Sequence, residues 1–442
     1  MIYLNKILYY SLLLFPALLI TGPFLPDLVL VICCLIFLFI IFYTKNFFYF
    51  KNFFFVYFLI FYLVIIISSI FSDYQSLSIK TSILYIRFGV FILVIQYVIE
   101  NNINFFKNLN LILSLIIFIL FIDASIQIYF EVNILGMELQ KPNNFIRASS
   151  FFGDELKMGS YVSRIFPLIL ISYFLNKQYK KNNIYLISTV FISSVLILYS
   201  GERTALVMFL ITIVGIVIFS NYSIKKKIFF FLIFFTISGF LIFIVKPDFI
   251  KRLVYVSIAQ YESSIKNLDS SNQDEFFKIY FSEQHKAHAN TALKMFFDKP
   301  IIGQGPKTFR FLCDDKRYKV EKFILNTADQ KKFVKGCSTH PHNLYIQLLS
   351  ETGILGFILV FNIFLYIFYI ILKILIKKIF IKKFLVKNII IICLFGIIIH
   401  LFPMLPSGNF FNNWLSCIMY YTIFICFYLL KKNKDYGKNI FN

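Results

Sequence analysis

Long apolar runs are the feature that most restricts the fold of this chain. Hydrophobic residues make up 59% of its 442 residues, and charged residues only 15%. About 20 consecutive apolar residues are enough to cross the hydrocarbon core of a bilayer as a helix. Backbone amides in lipid must be satisfied within their own segment, so each run is predicted to be helical. This composition excludes a soluble protein.

Twelve runs are recognisable, and they predict an all-α integral membrane protein with about 12 transmembrane helices. They cover roughly residues 7–21, 24–43, 52–71, 81–99, 111–129, 159–176, 184–200, 204–220, 228–246, 354–374, 386–403 and 411–430. The chain is accordingly divided into three parts: a membrane bundle of helices 1–9 at 1–246, a large loop at 247–343, and a bundle of helices 10–12 at 344–442.

The basic residues are distributed unevenly between the loops. A net charge of +22 raises the possibility of a nucleic-acid partner. With the N-terminus inside, however, the short inside segments hold 20 Lys and Arg residues and the short outside segments hold 5. This asymmetry is the positive-inside rule of membrane proteins. It predicts two cytoplasmic termini, a large loop on the opposite side, lysine contacts with membrane lipids and no nucleic-acid partner.

Two of the seven cysteines, Cys313 and Cys337, lie in the large loop, whereas the other five fall in predicted spans. In an oxidising compartment these two can pair. A disulfide that closes a loop of that size stabilises the folded protein by on the order of 3 kcal/mol in the chain-entropy model. Two free thiols are the alternative. The sequence contains no Cys-x2-Cys or His-x3-His spacing, so neither a metal site nor a cofactor is predicted.

The large loop ends in His340-Pro-His342-Asn343, where a polar segment meets a predicted span. Imidazole is the side chain best suited to move a proton near neutral pH. A pair of interfacial histidines that only fixes the start of a helix is the structural alternative. If His342 is a base with an ordinary imidazole pKa, activity should fall below about pH 6.5.

Arginines near the predicted outer ends of spans are the second group of candidates. Arg203 lies beside Glu202 in a short turn between two spans, and Arg147 lies in the preceding outside loop. A charge at this position is costly unless it is paired or faces a polar cavity, so it suggests a function. The alternative is an arginine that pairs with Glu202 or a lipid phosphate. Arg252 and Arg310 lie in the large loop.

A glycine pair in the large loop needs a separate explanation. Asn290 to Phe297 is predicted to be an amphipathic helix that stops before Pro300, and Gly303-Gln-Gly305 follows. A nucleotide-binding loop is disfavoured because no parallel-sheet unit surrounds it. A turn after the helix is the better interpretation.

Several pieces, in order, resemble the O-antigen ligase and O-antigen polymerase superfamily of bacterial envelope enzymes. The most specific piece is His342-Asn343, followed after nine residues by Gly353 and after two more by Gly356. The remaining pieces are Phe151-Phe-Gly-Asp-Glu before Gly159, Ser200-Gly-Glu-Arg-Thr, Pro300 with Gly303-x-Gly305, and a large loop between the ninth and tenth spans.

The resemblance implies a helical membrane bundle of the GT-C type in the bacterial inner membrane. Its members take a glycan from an undecaprenyl-pyrophosphate carrier on the periplasmic side. An O-antigen ligase passes the glycan to lipid A-core, whereas an O-antigen polymerase passes it to another carrier-linked repeat unit. The ligase is the expected function, with the polymerase as the alternative.

The resemblance also implies roles for individual residues. His342 matches the motif histidine, and we expect it to activate the acceptor hydroxyl as a base. Arg203 and Arg147 are the other expected catalytic residues, because guanidinium groups bind phosphates bidentately. The expected substrate-binding residues are Arg252, Arg310, His340 and Asn343. No Asp-x-Asp cluster for Mg²⁺ is present, so metal-independent transfer is expected.

Two other classes of protein remain open. A polysaccharide transporter would also be a helical bundle, but it should show symmetric halves and charged or broken helices near the bilayer midplane. The polar residues of this chain crowd one face and one loop, which disfavours a transporter. A non-catalytic envelope assembly protein would need neither His342 nor the arginines, so replacing those residues would leave its function intact.

Overall fold

Helices dominate the protein. The computed structural model describes residues 1–142, 145–176, 183–221, 223, 225, 227, 255–266, 282–325, 331–381 and 385–433. The ninth predicted span at 228–246 lies outside the described residues, and so does Arg252.

Fourteen α-helices lie in the described part of the chain, besides short 3-10 turns. They are α1 (Ile2–Leu18), α2 (Phe24–Thr44), α3 (Phe53–Ile70), α4 (Gln75–Asn101), α5 (Phe105–Phe130), α6 (Met158–Leu175), α7 (Asn183–Ser200), α8 (Arg203–Phe219), α9 (Val256–Lys266), α10 (Glu283–Asp298), α11 (Phe309–Leu312), α12 (Leu344–Phe380), α13 (Asn388–Leu401) and α14 (Asn413–Lys432). Eight of these, α1–α6, α12 and α14, are long and apolar enough to cross a membrane. The helices α7, α8 and α13 are apolar but shorter. The protein is therefore a multi-pass membrane protein by its helix composition.

The centre of the bundle is α6. It packs against α5, α7, α8, α13 and α14, and most of its side chains are buried. At the perimeter, by contrast, large apolar side chains such as Phe39, Phe42 and Leu63 are more than half exposed. Exposed apolar surface of this kind suits a lipid environment and would be costly in water.

A small lobe stands at one end of the bundle and comprises residues 282–325 and 331–343. Its core is formed by α10 and α11, with Met295, Phe309 and Leu312 buried together. A β-hairpin completes it, in which β1 (Glu321–Leu325) pairs antiparallel with β2 (Lys331–Lys335). The all-α prediction missed this hairpin. The strands read Glu321-Lys-Phe-Ile-Leu and Lys331-Lys-Phe-Val-Lys, so neither shows the alternation of polar and apolar residues that would have predicted a strand.

Cys313 and Cys337 lie together in the lobe. Their Cα atoms are 4.9 Å apart, within the range that a disulfide requires. Cys313 follows α11 and Cys337 follows β2, so a bond between them joins the helical part of the lobe to the hairpin. Outside the lobe, the five remaining cysteines are buried in α2, α13 and α14, as predicted.

The lobe is joined to the bundle where α12 is broken. Gly353 has φ 63° and ψ −167°, so the helix is interrupted nine residues after its start. The interruption leaves backbone groups without helical partners, and the segment Pro300–Gly305 supplies them. The Ile354 N–H donates to the Pro300 carbonyl at 2.8 Å, and the Gly305 N–H donates to the Glu351 carbonyl at 2.8 Å. We call Pro300–Gly305 the junction segment.

The glycines of the predicted motifs are explained by this junction. A Cβ on Gly303 would lie 2.5 Å from the backbone of Glu351, Thr352 and Gly353. A Cβ on Gly353 would collide with the backbone of Ile301. Both glycines also have positive φ, which other residues rarely adopt. Gly303-x-Gly305 is thus a turn after a helix, and it fits against the break in α12.

Candidate functional site

Four of the five histidines lie together where the lobe meets the bundle. The centroid of the His342 ring is 4.0 Å from that of His340, 5.3 Å from that of His285 and 5.4 Å from that of His288. His342 is therefore the centre of this histidine cluster. His285 and His288 come from α10, one turn apart, whereas His340 and His342 come from the segment before α12.

Hydrogen bonds occupy both ring nitrogens of two of these histidines. His288 Nδ1 lies 2.9 Å from the Gly336 carbonyl and its Nε2 lies 3.1 Å from Gln284 Nε2. His340 Nε2 lies 3.1 Å from the Ser407 carbonyl and its Nδ1 lies 2.9 Å from Thr339 Oγ1. Since a carbonyl only accepts, each ring donates to it. The Gln284 amide nitrogen only donates, so the other nitrogen of His288 accepts and this ring is held as a neutral tautomer.

The ring of His342 differs in this respect. Among the residues that the structure describes, none forms a hydrogen bond with it. Its backbone has φ 58°, a left-handed conformation that is uncommon outside glycine. The Ser407 N–H donates to the His342 carbonyl at 2.9 Å and holds this conformation. The result is an imidazole that is fixed in position and has ring nitrogens available to a substrate.

Asn343 supports His342 from the next position. Its Oδ1 accepts from the Tyr345 and Ile346 N–H groups at 3.0 and 3.1 Å and caps α12. Its Nδ2 donates to the Pro403 carbonyl at 2.8 Å. Because these contacts use most of its hydrogen-bonding capacity, the geometry favours a positioning role over the substrate contact expected from the sequence.

Burial determines the protonation of the cluster. Desolvation, followed by the charges of His340, His285 and His288, lowers the pKa of His342 to about 3. Desolvation also lowers the pKa of His285 to about 4 and that of His340 to about 4. Burial of an imidazole disfavours its charged form, because the charge loses its contact with water. The prediction of an ordinary imidazole pKa for His342 was therefore wrong, and this ring is neutral throughout the physiological range.

Arg203 approaches the cluster from α8. Its Nη1 donates to Gln260 Oε1 at 2.8 Å and to Ser257 Oγ at 3.2 Å, both on α9. Its charge is one of those that lower the pKa of His285, so the guanidinium lies on the His285 side of the cluster. Arg310 lies near His340 and lowers the pKa of that ring. Two predicted phosphate-binding arginines thus flank the histidines.

Arg147 has a different environment. It is only 9% exposed, and its guanidinium donates to the carbonyls of Ser200 and Leu156 at 2.8 and 3.4 Å. Its charge also opposes the effect of burial, which raises the pKa of Glu202 to about 7. Glu202 in turn accepts from the Gly159 N–H at 2.9 Å, at the start of α6. This geometry favours a role for Arg147 in holding the turn before Arg203.

The structure brings some of the predicted site residues together and adds others that were not predicted. His342, His340, Arg203 and Arg310 gather around one cluster. Sequence reasoning missed His285 and His288, because the helix predicted at Asn290 to Phe297 begins earlier in the structure, at Glu283. Their spacing of three residues was the available signal. Sequence reasoning also missed the segment 403–412, which touches the cluster through Ser407 and links α13 to α14.

The described residues contain no group of three or more His, Cys, Asp or Glu side chains arranged to hold a metal ion. In particular, His288 and His340 already use both ring nitrogens within the protein. The cluster therefore offers proton acceptors, together with guanidinium groups that can bind an anion.

The comparison with protein families coincides with this site. Residues 188–361 match the O-antigen ligase family model. The matched segment runs from α7 into α12 and contains Arg203, all four clustered histidines and both glycines of the break region. The resemblance to the O-antigen ligase family is confirmed for this segment, and it implies lipid-linked glycan transfer of the ligase or polymerase type. No curated protein matches the chain.

Proposed function

We propose that this protein is an O-antigen ligase that moves a glycan from an undecaprenyl-pyrophosphate carrier to a sugar hydroxyl of lipid A-core. The observation that carries the proposal is the His342 ring, which is neutral and has no protein hydrogen-bond partner among the described residues. Arginines flank its cluster on two sides. A glycan donor with a pyrophosphate leaving group requires this combination of a base and fixed positive charges.

His342 acts on the acceptor in this proposal. A sugar hydroxyl is a weak nucleophile, and it attacks the anomeric carbon of the donor more readily as its proton is removed. A base can accept that proton only in its neutral form. The lowered pKa of His342 keeps it in that form, at the expense of intrinsic basicity. The fixed backbone at His342 contributes by holding the ring in one orientation.

Arginine residues act on the donor. The bond from the anomeric carbon to the phosphate oxygen breaks, and negative charge develops on the pyrophosphate. Arg203 is held by α9 in a position suited to binding it, and we propose Arg310 or Arg252 as the second contact. A planar guanidinium binds phosphate through two parallel hydrogen bonds, which also fixes the orientation of the donor. We propose that these charges make the transfer metal-independent.

The remaining predictions complete the proposal. The fold is of the GT-C type, with about 12 spans. The protein lies in the bacterial inner membrane with both termini in the cytoplasm, and the lobe at 247–343 faces the periplasm between bundles at 1–246 and 344–442. A reporter joined after Lys432 should then be cytoplasmic, and one inserted near Asp315 should be periplasmic. Finding both reporters on the same side would contradict this arrangement.

Purified protein with a carrier-linked repeat unit as donor provides the direct test. With lipid A-core as acceptor, the wild type should form the joined product, whereas His342→Ala should lower its rate by about 10²–10⁴-fold. Arg203→Lys should also fail, because a point charge does not replace the bidentate fork. Arg317→Lys is the matched control, since Arg317 is about half exposed and pairs with Asp315 in the lobe. It should remain active.

Two results would redirect the proposal. Product formed only from a second carrier-linked repeat unit would identify a polymerase. If His342→Ala, shown to be folded and inserted, keeps wild-type transfer, the base assignment is wrong. In cells, a deletion strain should lose long lipopolysaccharide bands and accumulate carrier-linked polymer, whereas a single repeat on the core would indicate a polymerase.

A further inference from the structure

We propose that an anionic phospholipid binds at the end of the bundle opposite the lobe. Its phosphate lies near the ammonium groups of Lys431 and Lys432, and one acyl chain lies between α3 and α14. The proposed glycan transfer uses no residue of this site. Only the assignment of the lipid to the cytoplasmic leaflet rests on the orientation proposed above.

A cavity of about 290 Å³ marks the position of the headgroup. It lies where three helices have their ends: Asn52 caps the start of α3, Glu100 lies in the last turn of α4, and the last turn of α14 completes the wall. The other end of α3 is followed by Asp73, which pairs with Lys299 of the lobe at 2.6 Å. The cavity and the lobe are therefore at opposite ends of the bundle.

Two buried amide side chains line this cavity, Asn52 and Gln96, each only 7% exposed. Asn52 Nδ2 donates to Gln96 Oε1, and Gln96 Nε2 donates to Glu100 Oε1 at 2.9 Å. An amide nitrogen carries two N–H groups. Among the described residues, each of these two nitrogens donates one hydrogen bond. One N–H of each amide is therefore left to donate to a ligand in the cavity.

The side chains around the cavity carry a net positive charge. Lys431 and Lys432 contribute two ammonium groups, and Glu100 contributes one carboxylate. Lys432 Nζ lies 6.0 Å from the centroid of the Tyr428 ring, and within the described part of the chain neither lysine forms an ion pair. Cations are common at helix C-termini because they offset the helix dipole, so the lysines alone would not indicate a site. Together with the buried amide donors, they favour an anion with several acceptor oxygens, such as a phosphate diester.

A second cavity distinguishes a lipid from a soluble anion. It has a volume of about 100 Å³, lies between α3, α12 and α14, and is lined by aromatic and aliphatic side chains. Phe54 and Phe424 line both cavities, so the apolar cavity adjoins the charged one. Along α3 it extends from Phe54 to Phe61, which is about 10 Å of helix. A phospholipid joins a charged headgroup to an acyl chain in this way, whereas a free phosphate has no group for the apolar cavity.

Lipid binding to the purified full-length protein in detergent tests the proposal without a transfer assay. Native mass spectrometry can compare phosphatidylglycerol with phosphatidylcholine, which carries no net charge. We expect the wild type to bind phosphatidylglycerol more tightly, and Lys431→Gln/Lys432→Gln to bind it about 10-fold more weakly than the wild type does. Lys45→Gln/Lys107→Gln is the matched control, because it removes the same charge from exposed positions that follow α2 and begin α5. This control should bind phosphatidylglycerol like the wild type, and thermal unfolding should show that both double variants are folded.

Each alternative ligand has its own result. Equal weakening in the two double variants would mean that only the total surface charge matters, and equal binding of the two lipids to the wild type would exclude an anionic headgroup. Glycerophosphoglycerol, the headgroup without acyl chains, should bind much more weakly than phosphatidylglycerol. If it binds as tightly, the ligand is a soluble anion and the lipid proposal is wrong.

Tighter binding of phosphatidylethanolamine than of phosphatidylglycerol would also overturn the proposal, because its ammonium group would then be the part recognised by Glu100. These measurements do not depend on the transfer reaction. An active His342→Ala would contradict the proposed transfer mechanism and leave the lipid site in place. Loss of selective phosphatidylglycerol binding would do the reverse.

Discussion

Gly303 offers a direct measure of how strongly the lobe is held to α12. Replacing it by alanine adds one Cβ atom, which would lie 2.5 Å from the backbone of Glu351, Thr352 and Gly353. Backbone atoms cannot rotate away as a side chain can, so the junction segment or α12 must move. The φ of +71° is also unfavourable for alanine.

Gly136→Ala separates these two contributions. Gly136 has φ +82°, and a Cβ there would meet no atom within 4 Å. Its replacement should therefore cost only the backbone term, about 1–2 kcal/mol. Gly303→Ala should cost that amount plus about 1–3 kcal/mol for the forced displacement. In both variants the alanine lowers the conformational entropy of the unfolded chain by a similar amount, so this effect cancels when their free energies of unfolding are compared.

The free energy of unfolding of each variant can be compared by denaturant titration in detergent micelles. Proteolysis within the lobe would report local opening of the junction, and the transfer rate would report any displacement of His342. We expect Gly303→Ala to be the less stable variant, with faster cleavage and slower transfer. If Gly303→Ala costs no more than Gly136→Ala, the junction is loose and does not position the histidines.

Two further predictions concern protonation and the lobe cysteines. An unperturbed imidazole is about nine-tenths protonated one pH unit below its pKa of about 6.5, whereas His342, with its pKa lowered to about 3, remains neutral there. The rate of glycan transfer at about pH 5.5, corrected for donor binding measured at each pH, should therefore stay close to its value at neutral pH. A tenfold loss of rate after that correction would contradict the lowered pKa. If Cys313 and Cys337 are paired, a thiol reagent should label neither of them in the folded protein until a reductant is added, and labelling of either one beforehand would refute the pairing.

Wherever the structure describes the predicted spans, it shows a helix, although only eight of these helices are long and apolar enough to cross a membrane. Eleven of the twelve have helical counterparts, because an apolar run of about 20 residues has few alternatives in lipid. The start of α12 was misplaced by ten residues. Its first turns contain Gln347 and Glu351, which are polar and yet fully buried. Glu351 accepts from the Phe309 N–H at 3.1 Å, a contact 42 residues away that no hydropathy pattern encodes.

Within the candidate site, local motifs were easier to predict than long-range contacts. His342 and Arg203 could be identified because each lies in a short conspicuous pattern at the end of a span. The convergence of α10 with these residues depends on tertiary packing against α12. The pKa of His342 was missed for the same reason, since it depends on burial and on three other rings. Arg147 appeared equivalent to Arg203 in sequence, and only the contacts of its guanidinium with Ser200 and Leu156 distinguish them.

The break at Gly353 also makes the order of synthesis important. Gly303 leaves the ribosome 50 residues before Gly353, so the junction segment already exists when the first turns of α12 emerge. The hydrogen-bond partners of the backbone groups at the break have therefore already been synthesised when the break itself is made. In a circularly permuted protein that began at α12, those groups would be made first and would stay without partners until the lobe was complete. Nascent α12 would then favour an unbroken helix through Gly353, and His342 would be carried away from α10.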